Sequence, residues 1–214
     1  MHEVAIHWPE YSRFLVMLAA VLDPIGAIPI FLVLTKTYTE SERRRTARIT
    51  ALAVWILLSV TALTGETLLT WMGTSFAAFR VGGGIVLLLM GISMLGAELG
   101  PLRTTPQETN EAATKESIAM VPLGIPLLAG PGALSAVIVQ MDRGTGWLHA
   151  VIVLACVAIV AGLCWLALRF AEPLGRALGP IGLNVAHRLI GLILTAIAIE
   201  MMANGMKQLF PALG

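Results

Sequence analysis

Three stretches of this sequence set polar or helix-breaking residues inside long apolar runs, where each has chemistry to offer. The first is Asp23, Pro24, Ile25, Gly26 and Ala27, at the centre of the run 12–35. Proline lacks a backbone N–H and clashes with the preceding turn, and the residue before it avoids the helical region. Asp is a good N-cap and Pro a good first helical residue. The pattern predicts one helix ending near Leu22 and a second starting at Pro24, capped by Asp23. The second stretch, Gly130, Pro131, Gly132 and Ala133, lies at the centre of the run 118–141 and predicts the same device with Gly130 as the cap. Pro122 and Pro126 make the first half of that run irregular as well.

A helix that starts in mid-membrane offers unpaired N–H groups and the positive end of its dipole, which together suit an anion such as a carboxylate. Backbone groups freed at that depth must be buried in protein or line a cavity. The Asp23 carboxylate would meet an ammonium group. A zwitterion with a small side chain answers both, because Gly26, Ala27, Gly132 and Ala133 leave room for little more. A lone proline kink needs no ligand, whereas two breaks at matching depth point to a binding site.

The third stretch is Glu200, between Ile199 and Met201. An ionisable side chain in a span is costly and is a functional hypothesis by default. With Asp23, Glu200 is a candidate carrier of a coupling proton or cation. The structural alternative is an internal hydrogen bond, for which Asn204 lies one turn further on the same face.

The elements that position these residues follow from composition. Of 214 residues, 57% are hydrophobic and only 13% charged, with mean hydropathy +0.84. Soluble domains average about 25% charged residues, so the bilayer is the solvent here. A net charge of +1 argues against a nucleic-acid partner. Cys156 and Cys164 fall on one apolar segment, about 12 Å apart along a helix, too far to pair with each other. No cofactor or metal motif is present, and no basic n-region precedes the first apolar run, which is expected to act as its own insertion signal.

A spanning helix needs about 20 mainly apolar residues. Six such segments are predicted, at 12–35, 48–71, 76–97, 118–141, 147–170 and 185–208. They form one membrane domain over 1–214. Lys36, Arg43, Arg44, Arg45, Arg48, Arg103, Lys115, Arg169, Arg176 and Arg188 fall on one side, against Arg13, Arg80, Arg143 and Lys207 on the other. The positive-inside rule then places both termini outside. Capping boxes at Thr39 with Glu42 and at Thr105 with Glu108 predict helix starts.

The halves resemble each other at a shift of about 108 residues, as internal repeats of transporters do. Arg80, Gly83 and Ile85 match Arg188, Gly191 and Ile193, the Pro24 break matches the Pro131 break, and Glu66 matches Glu172. Each half has three spans, an odd number, so the second must be inverted. The expected fold is all-α, with six transmembrane helices as two inverted repeats, 11–97 and 117–209, joined by a cytoplasmic loop at 98–116. Gly82, Gly83, Gly84 and Gly191 are packing positions in this reading. Glu66 and Arg80 are expected to pair or snorkel at the outer interface, and His149 and His187 to pack at segment ends.

The stretch Asp23, Pro24, Ile25, Gly26, Ile28, Pro29, Ile30 and Phe31 resembles the signature of the MarC family of bacterial and archaeal membrane proteins. So do Pro122, Leu123 and Pro126 with Leu127 to Gly132, Phe79 and Arg80 before the glycine run, and Arg188 with Gly191. The likeness covers 12 to about 208, with Ala27 standing where many members carry Asn. It implies a six-span plasma-membrane protein, and some members are described as transporters of small neutral amino acids such as glycine and alanine. The expected function is accordingly secondary transport of such a zwitterion, coupled to H+ or Na+. Transport of another small metabolite or drug is the alternative. A membrane enzyme is disfavoured by the lack of HExxH, GxSxG or a spaced Cys/His pair, and a nucleotide-driven pump by the lack of a phosphate loop. Nothing suggests the selectivity filter of a channel.

Overall fold

A computed structural model describes residues 8–96 and 128–211, and its elements there are all helical. They are α1 (Trp8–Leu22), α2 (Ala27–Leu34), α3 (Glu40–Trp71), α4 (Phe76–Leu95), α5 (Pro131–Asp142), α6 (Trp147–Arg169) and α7 (Ala171–Leu209). Four stretches are long and apolar enough to cross a membrane: α3, α4, α6 and the Ile181–Leu209 part of α7. The pair α1 and α2, bent by 42° at its break, raises the number to five among the described residues. The first half of the expected fourth segment and the capping box at Thr105 lie outside those residues.

Local sequence explains the ends. Thr39 caps α3 as expected: its side chain accepts from the Glu42 N–H, and the Glu42 carboxylate accepts from the Thr39 N–H at 2.9 Å. That cap carries α3 eight residues upstream of the apolar run, because its first turns are charged and stand outside the membrane's apolar layer. Gly179, at φ 61°, breaks α7 and separates a short leading stretch from the span. Side chains rarely adopt that backbone region, so glycine is the residue that can turn there.

The contacts define two ends. Glu10 of α1 lies 3.7 Å from Arg143 beyond α5, Arg80 of α4 lies 3.5 Å from Asp142, and Tyr11 of α1 meets His149 of α6 at 2.7 Å. We call this the terminal end, since α1 starts and α7 finishes there. At the opposite end, the loop end, Arg43 at the start of α3 binds Glu172 at the start of α7 at 2.8 Å and the Thr35 carbonyl after α2 at 3.3 Å. Trp8, Trp71 and Trp147 are all strongly exposed at the terminal end, the pattern of an interfacial aromatic belt. At the loop end the Arg169 guanidinium lies 5.2 Å from the Trp165 ring centre. Between the ends the outer surface is apolar, with Val60, Leu63, Ile159, Leu163, Leu192 and Ile199 exposed as they would be to lipid.

Two packings hold the bundle. Leu18, Leu22, Ile28 and Phe31 of the bent pair are buried against Val157, Val160 and Leu168 of α6 in one continuous core. The second packing sets α4 antiparallel to α7 through glycines. A Cβ on Gly191 would sit 2.7 Å from Met94 Cβ and 3.0 Å from the Gly91 carbonyl; one on Gly205 would sit 2.9 Å from the Ala77 carbonyl. With no hydrophobic drive between helices in lipid, such close backbone approach supplies the association. Gly83, Gly84 and Gly191 act as packing positions, whereas Gly82 faces open space.

Candidate functional site

The break in the first span is tighter than expected. Asp23 still donates its N–H to the Ala19 carbonyl at 3.1 Å, so the ladder of α1 runs through it. Its φ is then 45°, the one positive value at a non-glycine residue among those described. Pro24, Ile25 and Gly26 form a turn, and α2 begins at Ala27 rather than at Pro24. Asp23 nevertheless performs the capping chemistry: its Oδ1 accepts from the Gly26 N–H at 3.0 Å, and its carbonyl accepts from Ala27 at 3.2 Å. Prediction and structure differ in how the turn is wound after the proline, not in which side chain closes it.

Asp23 is fully buried, and its second carboxylate oxygen lies 2.9 Å from His187 Nδ1 of α7. The two meet the distance of an ion pair without the angle of a hydrogen bond, so the attraction depends on His187 carrying a proton. Gly26 seals the arrangement. A Cβ there would overlap the Asp23 carboxylate and come within 2.7 Å of His187 Nδ1.

The second break follows the expected plan. Gly130 is extended (φ −67°, ψ 176°), Pro131 is the first residue of α5, and the Gly130 carbonyl accepts from Ala133 and Leu134 at 3.0 and 3.2 Å. Gly132 abuts α4, where a Cβ would sit 2.5 Å from Leu87 Cδ2 and 3.2 Å from Met90 Sδ. The two helix starts therefore pack on different partners: Gly26 on α7, Gly132 on α4. Ala27 and Ala133 are both buried beside their breaks, Pro24 and Ile25 are half-buried, and Pro131 is exposed.

Glu200 lies away from the first break. It is thirteen positions beyond His187 on α7, about 20 Å along the axis, and it lines an open cleft at the terminal end together with Asn204. Glu200 and Asn204 make no hydrogen bond to each other among the described residues. Arg80 pairs with Asp142 at the terminal end, as expected, while Glu66 is exposed there. His149 is buried as a clamp: its Nε2–H donates to the Gln140 carbonyl at 3.0 Å, which leaves Nδ1 to accept from the Tyr11 hydroxyl in the neutral ring.

The residue that sequence reasoning missed is His187. Starting the last span at residue 185 placed it at a segment end. The span begins at Ile181, which sets His187 two turns inside. The signal was present, since an ionisable residue within a span calls for a partner.

A bundle of antiparallel apolar helices, one of them broken at a buried carboxylate, with aromatic residues at one end and arginines at the other, defines a multi-span integral membrane protein. The chain belongs to the MarC family: the model described as "MarC family integral membrane protein" matches residues 8–210. It is 37% identical to the UPF0056 membrane protein YhcE of Escherichia coli (strain K12), over 100% of this chain and 99% of the relative. It is 35% identical to a UPF0056 membrane protein of the archaeon Methanocaldococcus jannaschii, over 88% and 91%. The UPF0056 membrane protein YvbG of Bacillus subtilis is 33% identical over 92% and 94%. No solved structure matches the chain.

Proposed function

We propose that this protein is a secondary transporter of small neutral amino acids, of the glycine or alanine kind, working by alternating access in a bacterial or archaeal plasma membrane. The observation that carries the reading is the span broken at Asp23, a buried carboxylate closed by Gly26 and faced by a histidine from another helix. A charge is kept at such depth when transport or coupling needs it. The extended Gly130 before Pro131 supplies a second mid-span helix start.

The inverted-repeat plan draws support from packing. Arg80 and Arg188 match in sequence, yet lie toward opposite ends of the antiparallel helices α4 and α7. Glu66 and Glu172, also matched, stand at the terminal and loop ends respectively. The fourth of the six spans in this reading takes in 118–127, outside the described residues. Arginines gathered at the loop end favour that end as cytoplasmic, with both termini outside. On this orientation the terminal-end cleft faces out while Arg43 and Glu172 close the loop end.

Substrate binds by its carboxylate at the half-helix starts and by its ammonium at Asp23. The coupling ion, H+ or Na+, meets the Asp23 and His187 pair, with Glu200 as the further candidate. The protein moves its ligand without chemical change and is not an enzyme in this account. Exchange of radiolabelled alanine or glycine in proteoliposomes tests it. The expected result is saturable uptake accelerated by unlabelled substrate inside. Flux that rises linearly with concentration, or none for either amino acid, would overturn the assignment.

A further inference from the structure

A cleft of about 780 Å³ opens at the terminal end between α1, α5 and α7. Much of its wall is apolar, including Phe14, Met17, Val139 and Met201. Polar residues line it too, Ser12, Arg13 and Asn204 among them, and three further groups bear on binding. Glu200, on α7, makes no hydrogen bond or ion pair among the described residues. A carboxylate on a spanning helix keeps its charge only where water or a cation reaches it, and the cleft is that place.

Gln140, on α5, is only 2% exposed, and its side-chain amide nitrogen has no hydrogen-bond partner. Buried donors are nearly always satisfied, so an orphan asks for an explanation. It is not a loosely placed residue. Its backbone carbonyl accepts from His149, which is itself held by the Tyr11 hydroxyl, so α6 and α1 both fix the backbone at this position. Arg143, just beyond α5, also lines the cleft and is held by Glu10 at a loose 3.7 Å. The cleft therefore offers an unpaired carboxylate from α7, and an unused amide N–H and a guanidinium from α5 and its end.

We infer that this cleft is a separate binding site for a small zwitterionic amino acid. Its ammonium is held by Glu200, and its carboxylate by the Gln140 amide and Arg143. The inference rests on the transport reading and deepens it, making the cleft the place where substrate is first held before it reaches the Asp23 break. It gives Glu200 a substrate contact rather than a coupling role.

The test uses the full-length protein in nanodiscs, with binding of labelled alanine competed by lactate, which lacks the ammonium, and by alaninamide, which lacks the carboxylate. The variants are Glu200→Gln and Gln140→Met, both close in shape to the originals, with thermal unfolding as the check on folding. Wild type is expected to prefer alanine to both analogues. Glu200→Gln should weaken alanine binding at the cleft at least about tenfold, the factor set by about 1.4 kcal/mol, and narrow the preference over lactate to that of the Asp23 break alone. Gln140→Met should narrow the preference over alaninamide. Folded variants that keep the wild-type affinity and order of preference overturn the inference. So does a loss of binding confined to Asp23→Asn, which would put the site at the break. Wild type that exchanges alanine in proteoliposomes without this pattern overturns the cleft and spares the transport reading. The binding pattern without exchange supports the cleft and overturns transport.

Discussion

Asp23→Asn is expected to insert and fold while losing at least about nine-tenths of alanine exchange, a change that corresponds to about 1.4 kcal/mol or more. The asparagine side-chain oxygen can still accept from the Gly26 N–H, as Asp23 Oδ1 does at 3.0 Å. Asparagine also tolerates the positive φ that this residue adopts. The turn should therefore survive. What disappears is the negative charge 2.9 Å from His187 and the group that would receive the substrate ammonium. Uptake by proteoliposomes, read beside helical content by circular dichroism, separates these effects. Wild-type uptake by a folded Asp23→Asn protein would remove Asp23 from the mechanism.

Gly191→Leu is expected to cause the largest loss of stability of any single change considered. The first added carbon would already lie 2.7 Å from Met94 Cβ, 3.0 Å from the Gly91 carbonyl and 3.3 Å from the Leu95 nitrogen. Two of those three neighbours are backbone, so relief requires α4 and α7 to separate. Overpacking of this kind costs about 1–3 kcal/mol, sometimes more. Separation would also undo the further backbone contacts at Gly84 and Gly205 on the same seam. Gly82→Leu is the control, because a side chain there meets nothing within 4 Å, and it should change stability by less than about 0.5 kcal/mol. Midpoints of thermal unfolding in one detergent compare the two. Equal midpoints would mean that the glycine seam does not hold the bundle.

Much of this architecture was open to sequence reasoning because lipid imposes simple demands. The terminal-end boundaries at Trp71, Phe76 and Trp147 coincide with the expected ones, since apolar runs there end at turns. At the loop end, the helix ends at Leu34, Leu95 and Arg169 fall within two residues of the expected ones, but two helix starts do not. α3 begins at Glu40 and the last span at Ile181, because charged or kinked turns continue a helix beyond the apolar layer and hydropathy does not register them. The side chain closing the first break was also readable, as Asp before Pro has few other uses in a span. The winding of the turn was not, since it depends on Gly26 fitting between Asp23 and His187, a contact between residues 164 positions apart. Glu200 was legible only as an ionisable side chain within a span. The cleft that holds it arises from three helices far apart in sequence, which periodicity within one segment does not reveal.

Alternating access at the Asp23 break is the central claim, and it can be read by thiol accessibility. With Cys156 and Cys164 replaced by alanine, a single cysteine is placed at Ile25, half-buried beside Asp23. A membrane-impermeant thiol reagent is then applied separately to each face of sealed vesicles. The account predicts labelling from both faces, slowed from both by saturating alanine. Labelling from neither face, or from one face only and indifferent to alanine, would contradict it.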